Sequence, residues 1–363
     1  MSKPPQPSHC ELAYFPVVNN QLQAGGQSIE QLARQLGNTP FYAYERNIIE
    51  QRIQALRALL PGSVRLHYAV KANPMPGLLQ HVAQQVDGLD IASQGELALA
   101  LQTVIEPQHI SFTGPGKGTD ELQAAIDAGI VLNIESATEM RCIARLAASG
   151  GMRPRVTLRV NPDFELKSSG MRMGGGATPF GIDAEQVPTL LKELATLNLE
   201  FWGLHIFAGS QNLNAAAIIE AQNATLALAV QLAEYAPSPV RLLNMGGGFG
   251  IPYFPGERAL DVKPIGENLT RLVEQAKTAL PDAELALELG RYLVGEAGIY
   301  VCRVLDKKIS RGQVFLVTDG GLHQHLAASG NFGQVIRKNY PVVIGNKMTG
   351  EKTEVVKIGR AHV

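Results

Sequence analysis

The sequence has 363 residues, of which 45% are hydrophobic and 18% are charged. This length allows two domains, or one large barrel with an appendage, and the apolar content excludes an intrinsically disordered chain. Thirty-two basic and 33 acidic residues give a net charge of -1. Nucleic-acid-binding proteins usually carry a basic surplus, so we expect no nucleic-acid partner.

Three features bear on where the protein resides. Residues 1–7 contain one lysine with no apolar run behind it, so we expect no secretory signal. Residues 215–236 form the most apolar helical stretch, but charged and amide side chains interrupt it, so we expect no membrane span. The three cysteines, Cys10, Cys142 and Cys302, lack metal or disulfide spacing and indicate a reducing compartment, which we expect to be the cytoplasm.

Before residue 45 the pattern is β-rich. It predicts a strand over residues 12–18, a helix over 29–36 and a strand over 41–44. We expect residues 1–44 to lie outside the large central domain and to contribute to a second, β-rich domain.

From residue 45 to residue 290, strand-like and helix-like segments alternate. Eight short apolar runs predict strands buried on both faces, over residues 65–70, 88–92, 109–113, 131–134, 155–160, 201–207, 240–245 and 284–288. Helical patterns between them include residues 77–85, 95–103, 120–127, 138–148, 184–197 and 265–279. We expect Asp120 and Thr138 to be N-cap residues.

Eight strand–helix units over about 240 residues match a closed (β/α)8 TIM barrel, which is typically about 250 residues long. The alternative is an open doubly wound sheet, which usually has one Gly-rich turn after its first strand. In this sequence, unusual residues follow almost every strand. Because barrel active sites form from the loops after the strands, this distribution favours an α/β fold of the barrel type.

After residue 290 the sequence is β-rich again, with predicted strands over 299–305, 314–318 and 341–344. We expect residues 291–356 to form one β-rich domain together with the first 44 residues. The last seven residues, 357–363, can be encoded by a common sequencing-adapter sequence. We therefore expect a non-native tail there and a β domain that is C-terminally incomplete.

A lysine ends the first predicted barrel strand. Lys71 stands in the segment His-Tyr-Ala-Val-Lys-Ala-Asn-Pro, residues 67–74, which puts an amine at the mouth of the barrel. A desolvated amine can form a Schiff base with an aldehyde. The alternative is a surface lysine whose aliphatic stem covers apolar surface.

Two further groups follow the last two predicted barrel strands. Gly246, Gly247 and Gly248 begin a turn whose successive N–H groups suit a phosphate, and a simple tight turn is the alternative. Glu288 and Arg291 end the eighth strand, where a structural ion pair is the alternative. An amine, an anion-binding turn and a carboxylate on one barrel face suit pyridoxal 5'-phosphate (PLP), whose pyridine nitrogen takes an acidic partner.

Four segments together resemble motifs of the fold-type III PLP-dependent enzymes, which have an alanine racemase-like barrel, and specifically the diaminopimelate/ornithine decarboxylase family. The matching segments are the cofactor-lysine motif at 68–73, the second-strand motif at 90–96, the His-x-Gly-Ser region at 203–211, and Glu-Leu-Gly-Arg at 288–291 for the family's Glu-Pro-Gly-Arg. The resemblance extends over essentially the whole chain. Within the family, residues 170–181, 205–211 and 319–332 look most like the decarboxylase-like proteins of the exosortase A system in exopolysaccharide-producing bacteria.

The resemblance implies PLP-dependent decarboxylation of an amino acid and a role for each matching residue. Lys71 would form the Schiff base and act in catalysis with Glu288, which would face the pyridine nitrogen. The other implied contacts are phosphate for Ser210, Gly246, Gly247 and Gly248, phosphate or substrate carboxylate for Arg291, the cofactor for Asp90, His205 and Phe207, and the substrate for Glu96. Helix capping is the alternative for Glu96, and core packing is the alternative for His205.

The resemblance also implies a homodimer with a shared active site and a small amino-acid substrate, either free or tethered to a carrier protein. Three positions depart from the family pattern. Phe207 replaces a histidine, Pro179 replaces a frequent lysine, and residues 326–329 lack the arginine that reads the distal carboxylate of diaminopimelate. The family's later Cys-containing motif is missing too, so a chain that ends at residue 363 is expected to bind PLP with impaired turnover.

Three alternatives stay open at this point. An amino-acid racemase or epimerase would use the same cofactor, and a non-catalytic protein would only bind PLP. A metal-dependent hydrolase would use His205, His323 and His325. These histidines have no carboxylate at ligand spacing, so we expect no metal site.

Overall fold

The computed structural model describes residues 12–167, 171–172, 174–254, 256–325, 342–349 and 357–359. Cys10 and the segments 326–332 and 360–363, on which predictions were made, lie outside these residues. The chain divides into two compact units. One comprises the residues up to 48, residues 252–258 and the residues from 296 onward, and the other comprises residues 49–251 and 259–295.

The first unit begins with a three-stranded antiparallel sheet. Its first elements are β1 (Val17–Val18), β2 (Gln21–Ala24), β3 (Gln27–Ser28), the helix α1 (Ile29–Leu36) and β4 (Phe41–Tyr44). The helix and β4 confirm the predictions for residues 29–36 and 41–44. The predicted strand over 12–18 is wrong in extent, because Pro16 cannot donate to a ladder and Asn19 and Asn20 adopt positive φ in the turn that follows β1.

The second unit contains the strands and helices of the barrel. Its strands are β5 (Arg65–Ala69), β6 (Gly88–Ile91), β7 (Ile110–Phe112), β8 (Val131–Ile134), β9 (Arg155–Asn161), β10 (Met171–Arg172), β11 (Ile182–Asp183), β12 (Glu200–Ile206), β13 (Gly209–Ser210), β14 (Leu242–Asn244) and β15 (Glu284–Leu289). Its helices are α2 (Arg46–Leu59), α3 (Pro76–Ala83), α4 (Gln94–Ala100), α5 (Thr119–Asp127), α6 (Ala137–Gly150), α7 (Val187–Leu194), α8 (Ala215–Ala233), α9 (Lys263–Ala279) and α10 (Arg291–Val294). The helix α2 begins within the first unit, whose amino-terminal segment ends at residue 48.

Eight parallel strands close into a barrel. The order is β5, β6, β7, β8, β9, β12, β14 and β15, and β15 pairs with β5 to complete the ring. This confirms the predicted (β/α)8 barrel, with all eight predicted strands present, and an open doubly wound sheet is wrong because no strand edge remains between β15 and β5. The short strand β11 adds to β9, and β10 pairs with β13.

The interior of the barrel is polar at the layer of the strand ends. His205 on β12 contacts Asn133 on β8 and Glu288 on β15, although neither strand is a neighbour of β12. Side chains of non-neighbouring strands can meet in this way only across the barrel axis. Alternate residues such as Leu132 and Leu204 are also buried and lie on the opposite face of their strands.

The helices α5 and α6 begin at residues other than those expected. The N-cap residues of α5 and α6 are Gly118 and Ser136, so Asp120 and Thr138 are wrong as caps: both helices begin one residue earlier than predicted. Ser136 Oγ accepts from the Glu139 N–H at 3.1 Å, which closes the first turn.

Among the described helices, α8 is the one whose length and composition would allow it to cross a membrane. Glu220, Gln222 and Asn223 interrupt this helix, as expected from the sequence, and Glu234 lies just beyond its end. In the structure α8 is a barrel helix. Its buried Gln222 accepts from Asn268 of α9 at 3.1 Å, and the apolar character serves that packing.

The first unit continues after the barrel with β16 (Gly298–Val301), β17 (Val304–Ser310), β18 (Gln313–Thr318) and β19 (Lys357–Gly359). β16 pairs with β4 in antiparallel fashion, and β17, β18 and β19 form a separate sheet. The predicted strand over 299–305 is split between β16 and β17, and the described part of 341–344 is not a strand. The fold is therefore the predicted barrel with a separate β-rich unit.

Candidate active site

The structure brings Lys71 and Glu288 together at the carboxyl end of the barrel strands. Lys71 lies in a single 3-10 turn, Val70–Ala72, directly after β5, and Glu288 lies near the end of the adjacent strand β15. Lys71 Nζ is 3.9 Å from Glu288 Oε1. The lysine side chain is 57% exposed and the glutamate side chain is 8% exposed, so an accessible amine stands over a buried carboxylate.

Three neighbouring groups keep the Glu288 carboxylate ionised. Burial raises the pKa of Glu288, but the polar contact with His205 and the positive charges of Lys71 and Arg159 outweigh it and hold the pKa well below its usual range. His205 Nε2 is 3.3 Å from Glu288 Oε2. The angle is unsuitable for a hydrogen bond, so both buried atoms are left without a hydrogen-bond partner among the described residues.

A buried amide fixes the orientation of His205. Asn133 Nδ2 contacts His205 Nδ1 and also donates to Thr113 Oγ1 at 3.0 Å, while Asn133 Oδ1 accepts from Thr157 Oγ1 at 3.1 Å. With Nδ1 accepting from the amide, the imidazole proton lies on Nε2, which faces Glu288. Sequence analysis missed Asn133, and its signal is an amide within the apolar run Val131–Ile134.

The glycine turn after β14 is packed too closely to accept side chains. Gly246 and Gly248 have φ of 65° and 78°. A Cβ at Gly246 would overlap the Phe207 ring, and one at Gly247 would overlap the carbonyl oxygen of Glu288. The Gly246 N–H donates to Asn244 Oδ1 at 2.9 Å, whereas those of Gly247 and Gly248 make no hydrogen bond within the described part of the chain. Two N–H groups are therefore available to an anion.

The turn lies beside the segment that carries Ser210. The Asn212 N–H donates to the Gly248 carbonyl at 2.8 Å, and a Cβ at Gly248 would stand 2.8 Å from the Gly209 carbonyl oxygen. Arg291 begins α10 and donates to Gln211 Oε1 at 3.4 Å. The predicted phosphate residues are thus brought to one place on the barrel rim.

The Phe207 ring forms one wall of the site. It packs against Gly246, its centroid is 6.0 Å from the Arg159 guanidinium carbon, and it is 6.4 Å from the centre of the His205 ring. His205 is 2% exposed and points at Glu288. Phe207 therefore presents an aromatic face beside the glycine turn, whereas the buried His205 imidazole lies against Glu288.

Arg159 and Glu135 form a buried ion pair that sequence analysis missed. Arg159 Nη1 is 2.9 Å from Glu135 Oε1, and both side chains are at most 5% exposed. The carboxylate also accepts from the N–H groups of Gly114, at 2.6 Å, and Gly181, at 3.0 Å. The pair fixes the arginine near Phe207, and its positive charge is one of those that act on Glu288. Its sequence signal is an arginine in the apolar strand Arg155–Asn161.

Asp90 and Glu96 make contacts that differ from those implied for them. The Asp90 carboxylate is bound by buried neighbours, Ser111 Oγ and His67 Nδ1, the latter at 3.2 Å. Glu96 accepts from the Ala92 N–H at 2.7 Å at the start of α4, which is the capping alternative. Burial raises the pKa of Glu96, opposed by that N–H and by the charge of Lys71, so its carboxylate also lies within electrostatic reach of the amine.

These groups fit PLP. The cofactor needs an amine for its aldehyde, an anion site for its phosphate and a carboxylate for its ring nitrogen. Lys71 supplies the amine. Within the described residues, the packed glycine turn has two N–H groups without a partner, and Glu288 has a buried oxygen without a hydrogen bond. Among the described residues, no three His, Cys, Asp or Glu side chains are grouped to hold a metal ion.

Residues 46–295 match the family model described as "Pyridoxal-dependent decarboxylase, pyridoxal binding domain". The chain belongs to this family. It is 38% identical over 307 residues to the L-glutamyl-[BtrI acyl-carrier protein] decarboxylase of Niallia circulans, covering 84% of this chain and 72% of that enzyme. It is 32% identical over 319 residues to the diaminopimelate decarboxylase of Aquifex aeolicus, covering 87% of this chain and 74% of that enzyme.

The fold agrees with this assignment. The crystal structure of AQ1208 from Aquifex aeolicus superposes with a TM-score of 0.81 at 28% identity, covering 97% of this chain and 82% of that one. The protein is therefore a PLP-dependent amino-acid decarboxylase, a lyase of the diaminopimelate/ornithine decarboxylase family.

Proposed function

We propose that this decarboxylase removes the carboxyl group of an amino acid that is presented on a carrier protein. The observation that supports the proposal is the 38% identity to an enzyme that acts on L-glutamyl carrier protein, against 32% and 30% for two diaminopimelate decarboxylases. The resemblance of residues 170–181, 205–211 and 319–332 to exosortase-associated proteins supports a place in exopolysaccharide metabolism. Residues 326–332 of the last segment lie outside the described structure.

Each residue of the candidate site has one task in this proposal. Lys71 would hold PLP through its amine, Phe207 would stack on the ring, and Glu288 would bind the ring nitrogen. Gly247, Gly248, Ser210 and Arg291 would bind the phosphate, with Arg291 also within reach of a substrate carboxylate. When bound, PLP supplies an electron sink for the pair left by the departing carbon dioxide.

The residues of the chain set the charge state on which that chemistry depends. Glu288 stays ionised because His205, Lys71 and Arg159 surround it, and an ionised carboxylate holds a proton on the ring nitrogen. Asn133 fixes the imidazole of His205 so that Nε2 lies 3.3 Å from Glu288 Oε2. Glu96, near Lys71, is suited to accept a hydrogen bond from the substrate amine.

Assembly and location are also part of the proposal. Family resemblance supports a homodimer in which the site is completed by a second copy. The sequence features described above support the cytoplasm, where a carrier protein loaded with an amino acid would be accessible.

Two measurements test the proposal. Borohydride reduction followed by mass spectrometry is expected to leave the cofactor adduct on Lys71, to be absent from Lys71→Ala and to persist in Lys167→Ala, an exposed lysine that pairs with Glu220. Carbon dioxide release is then compared between L-glutamyl carrier protein, free L-glutamate and free diaminopimelate.

The outcomes separate the alternatives. Faster release from the carrier-bound amino acid supports the tethered substrate, and equal or faster release from free diaminopimelate contradicts it. Solvent deuterium that enters the substrate without gas release would identify a racemase or epimerase. An adduct with neither reaction would identify a protein that only binds the cofactor.

A further inference from the structure

The amino-terminal mouth of the barrel contains a second cavity, at the end opposite Lys71. Its volume is about 520 Å³, and the first residues of several barrel strands line it, among them Arg65, Ile110, Val131, Leu242 and Glu284. Cavities of about 300–1,000 Å³ are typical of small-molecule sites. The candidate active site uses the last residues of the same strands, so the two sites are separated by the barrel core.

Two imidazoles in this cavity have hydrogen-bonding capacity to spare. His109 makes no side-chain hydrogen bond within the described part of the chain, and burial together with the charges of Arg65 and His67 lowers its pKa. His67 uses Nδ1 for Asp90, and its other ring nitrogen makes no hydrogen bond to the described residues. Burial opposes protonation of His67, but the charge and hydrogen bond of Asp90 and the charge of Glu288 leave its pKa raised. The floor of the cavity therefore offers ring nitrogens for hydrogen bonds, while the charge of His67 is balanced by Asp90.

Two carboxylates, Asp282 and Glu284, also line the cavity. Glu284 binds Arg65 at 2.8 Å. Arg241 binds Glu200 at 3.1 Å and lies over the Trp202 ring at 4.9 Å, which leaves other N–H groups of its guanidinium for a ligand. Around the imidazoles the cavity thus offers donors, and its wall offers one flat aromatic face.

We propose that this cavity, named here the amino-end cavity, binds a small molecule through a carboxylate held by His109, His67 and the Arg241 guanidinium. The guanidinium matches a carboxylate in charge and geometry, and the imidazoles supply further N–H donors. Trp202 and Ile110 supply an apolar surface for the short body of such a ligand. The chemistry is shared by dicarboxylic acids and by amino acids, and the two sources are distinguished by experiment.

The amino-end cavity is connected to the core of the barrel. His67 and Ser111 line the cavity, and both bind Asp90. His67 is also close enough to Glu288 for the two charges to interact. A carboxylate bound in the amino-end cavity would therefore be linked through His67 to the buried polar residues beneath the candidate active site.

Isothermal titration calorimetry of the holoenzyme with succinate, L-glutamate and 1,4-butanediol tests the proposal. Succinate or L-glutamate is expected to bind saturably, and the diol, which has neither a carboxylate nor an amine that could react with PLP, is not. His109→Ala and Arg241→Gln are each expected to weaken binding by about tenfold or more, because each removes a donor to a charged group. His323→Ala, an exposed histidine of the other unit, serves as the matched control and is expected to leave affinity unchanged.

Binding of both acids that is weakened in the cavity variants would assign the site to carboxylates in general, and such binding of L-glutamate alone would assign it to amino acids. The inference is overturned if neither acid gives a saturable signal up to about 20 mM, if the diol binds as tightly as the acids, or if both cavity variants bind like the His323→Ala control. A crystal structure with succinate would show directly whether the carboxylate lies at His109 or at the cofactor site.

Discussion

Glu288 is a buried carboxylate that the protein keeps charged. A carboxylate that is 8% exposed would normally take up a proton, since burial alone raises its pKa. His205, Lys71 and Arg159 reverse this by surrounding it with positive or proton-donating groups. The charge of Glu288 therefore depends on these three neighbours as much as on the carboxyl group itself.

Glu288→Gln is expected to lower kcat by about 100-fold or more, because the neutral amide cannot hold a proton on the ring nitrogen. The change is nearly isosteric, so the fold should be retained, which circular dichroism will check. Glu220→Gln is the matched control: it removes an exposed carboxylate of α8 that pairs with Lys167, and its effect on kcat should be much smaller. Equal losses in the two variants would contradict the role given to Glu288.

The pair formed by His67 and Asp90 predicts a pH dependence of stability. The folded pKa of His67 is raised above its unfolded value. The stabilisation is therefore complete below the unfolded pKa of about 6.5 and is lost as the pH rises through the raised folded pKa. Asp90→Asn removes the partner charge, so in the apoenzyme it should cost about 3 kcal/mol near pH 6 and clearly less near pH 9.

Urea denaturation of the apoenzyme at both pH values measures this difference. His67→Asn provides the control, since in that background Asp90→Asn should show little dependence on pH over the same interval. A cost that is independent of pH in the presence of His67 would mean that the imidazole is not charged in the folded barrel.

At the scale of the element, the glycine turn after β14 is shaped by its close approach to β15. A Cβ at Gly247 would overlap both the Glu288 carbonyl oxygen and the Leu289 side chain. Gly247→Ala is therefore expected to destabilise the protein by about 1–3 kcal/mol and to weaken PLP binding through the phosphate. Gly116→Ala, where nothing lies within 4 Å and φ is not positive, is the control for a loop glycine.

Thermal unfolding and fluorescence titration with PLP give both quantities for these variants. A Gly247→Ala protein with unchanged stability and unchanged PLP affinity would show that the turn relaxes without affecting a phosphate. Loss of affinity with retained stability would still support the phosphate role, because the Gly247 N–H makes no hydrogen bond to the part of the chain that the structure describes.

The barrel strands and the position of Lys71 and Glu288 could be predicted from sequence, whereas their supporting residues could not. Strands buried on both faces are short apolar runs, and residues that follow parallel strands share one end of a barrel. Asn133 and Arg159 sit inside such runs, where only the neighbours along the chain are visible. Their partners, His205 and Glu135, come from other strands and meet them only when the ring closes.

At the scale of the whole molecule, the candidate cofactor residues are confined to one of the two units. Lys71, Ser210, the glycine turn, Glu288 and Arg291 all belong to the barrel unit. Their contacts with PLP would therefore stabilise the barrel itself. Binding of PLP is therefore expected to raise the stability of the folded chain, regardless of the substrate.

PLP at about 100 times its dissociation constant should stabilise the folded chain by about 2.7 kcal/mol, which corresponds to a rise in Tm of roughly 3–6 °C. The apoenzyme is compared by scanning calorimetry with PLP, with pyridoxal, and with inorganic phosphate. Pyridoxal should give a smaller rise because the glycine turn then has no ligand, and Lys71→Ala should lose most of the effect of PLP because the amine is gone. An identical rise with pyridoxal and PLP would contradict the assignment of the phosphate to the turn at Gly247 and Gly248. An undiminished rise in Lys71→Ala would contradict the reaction of the aldehyde with Lys71.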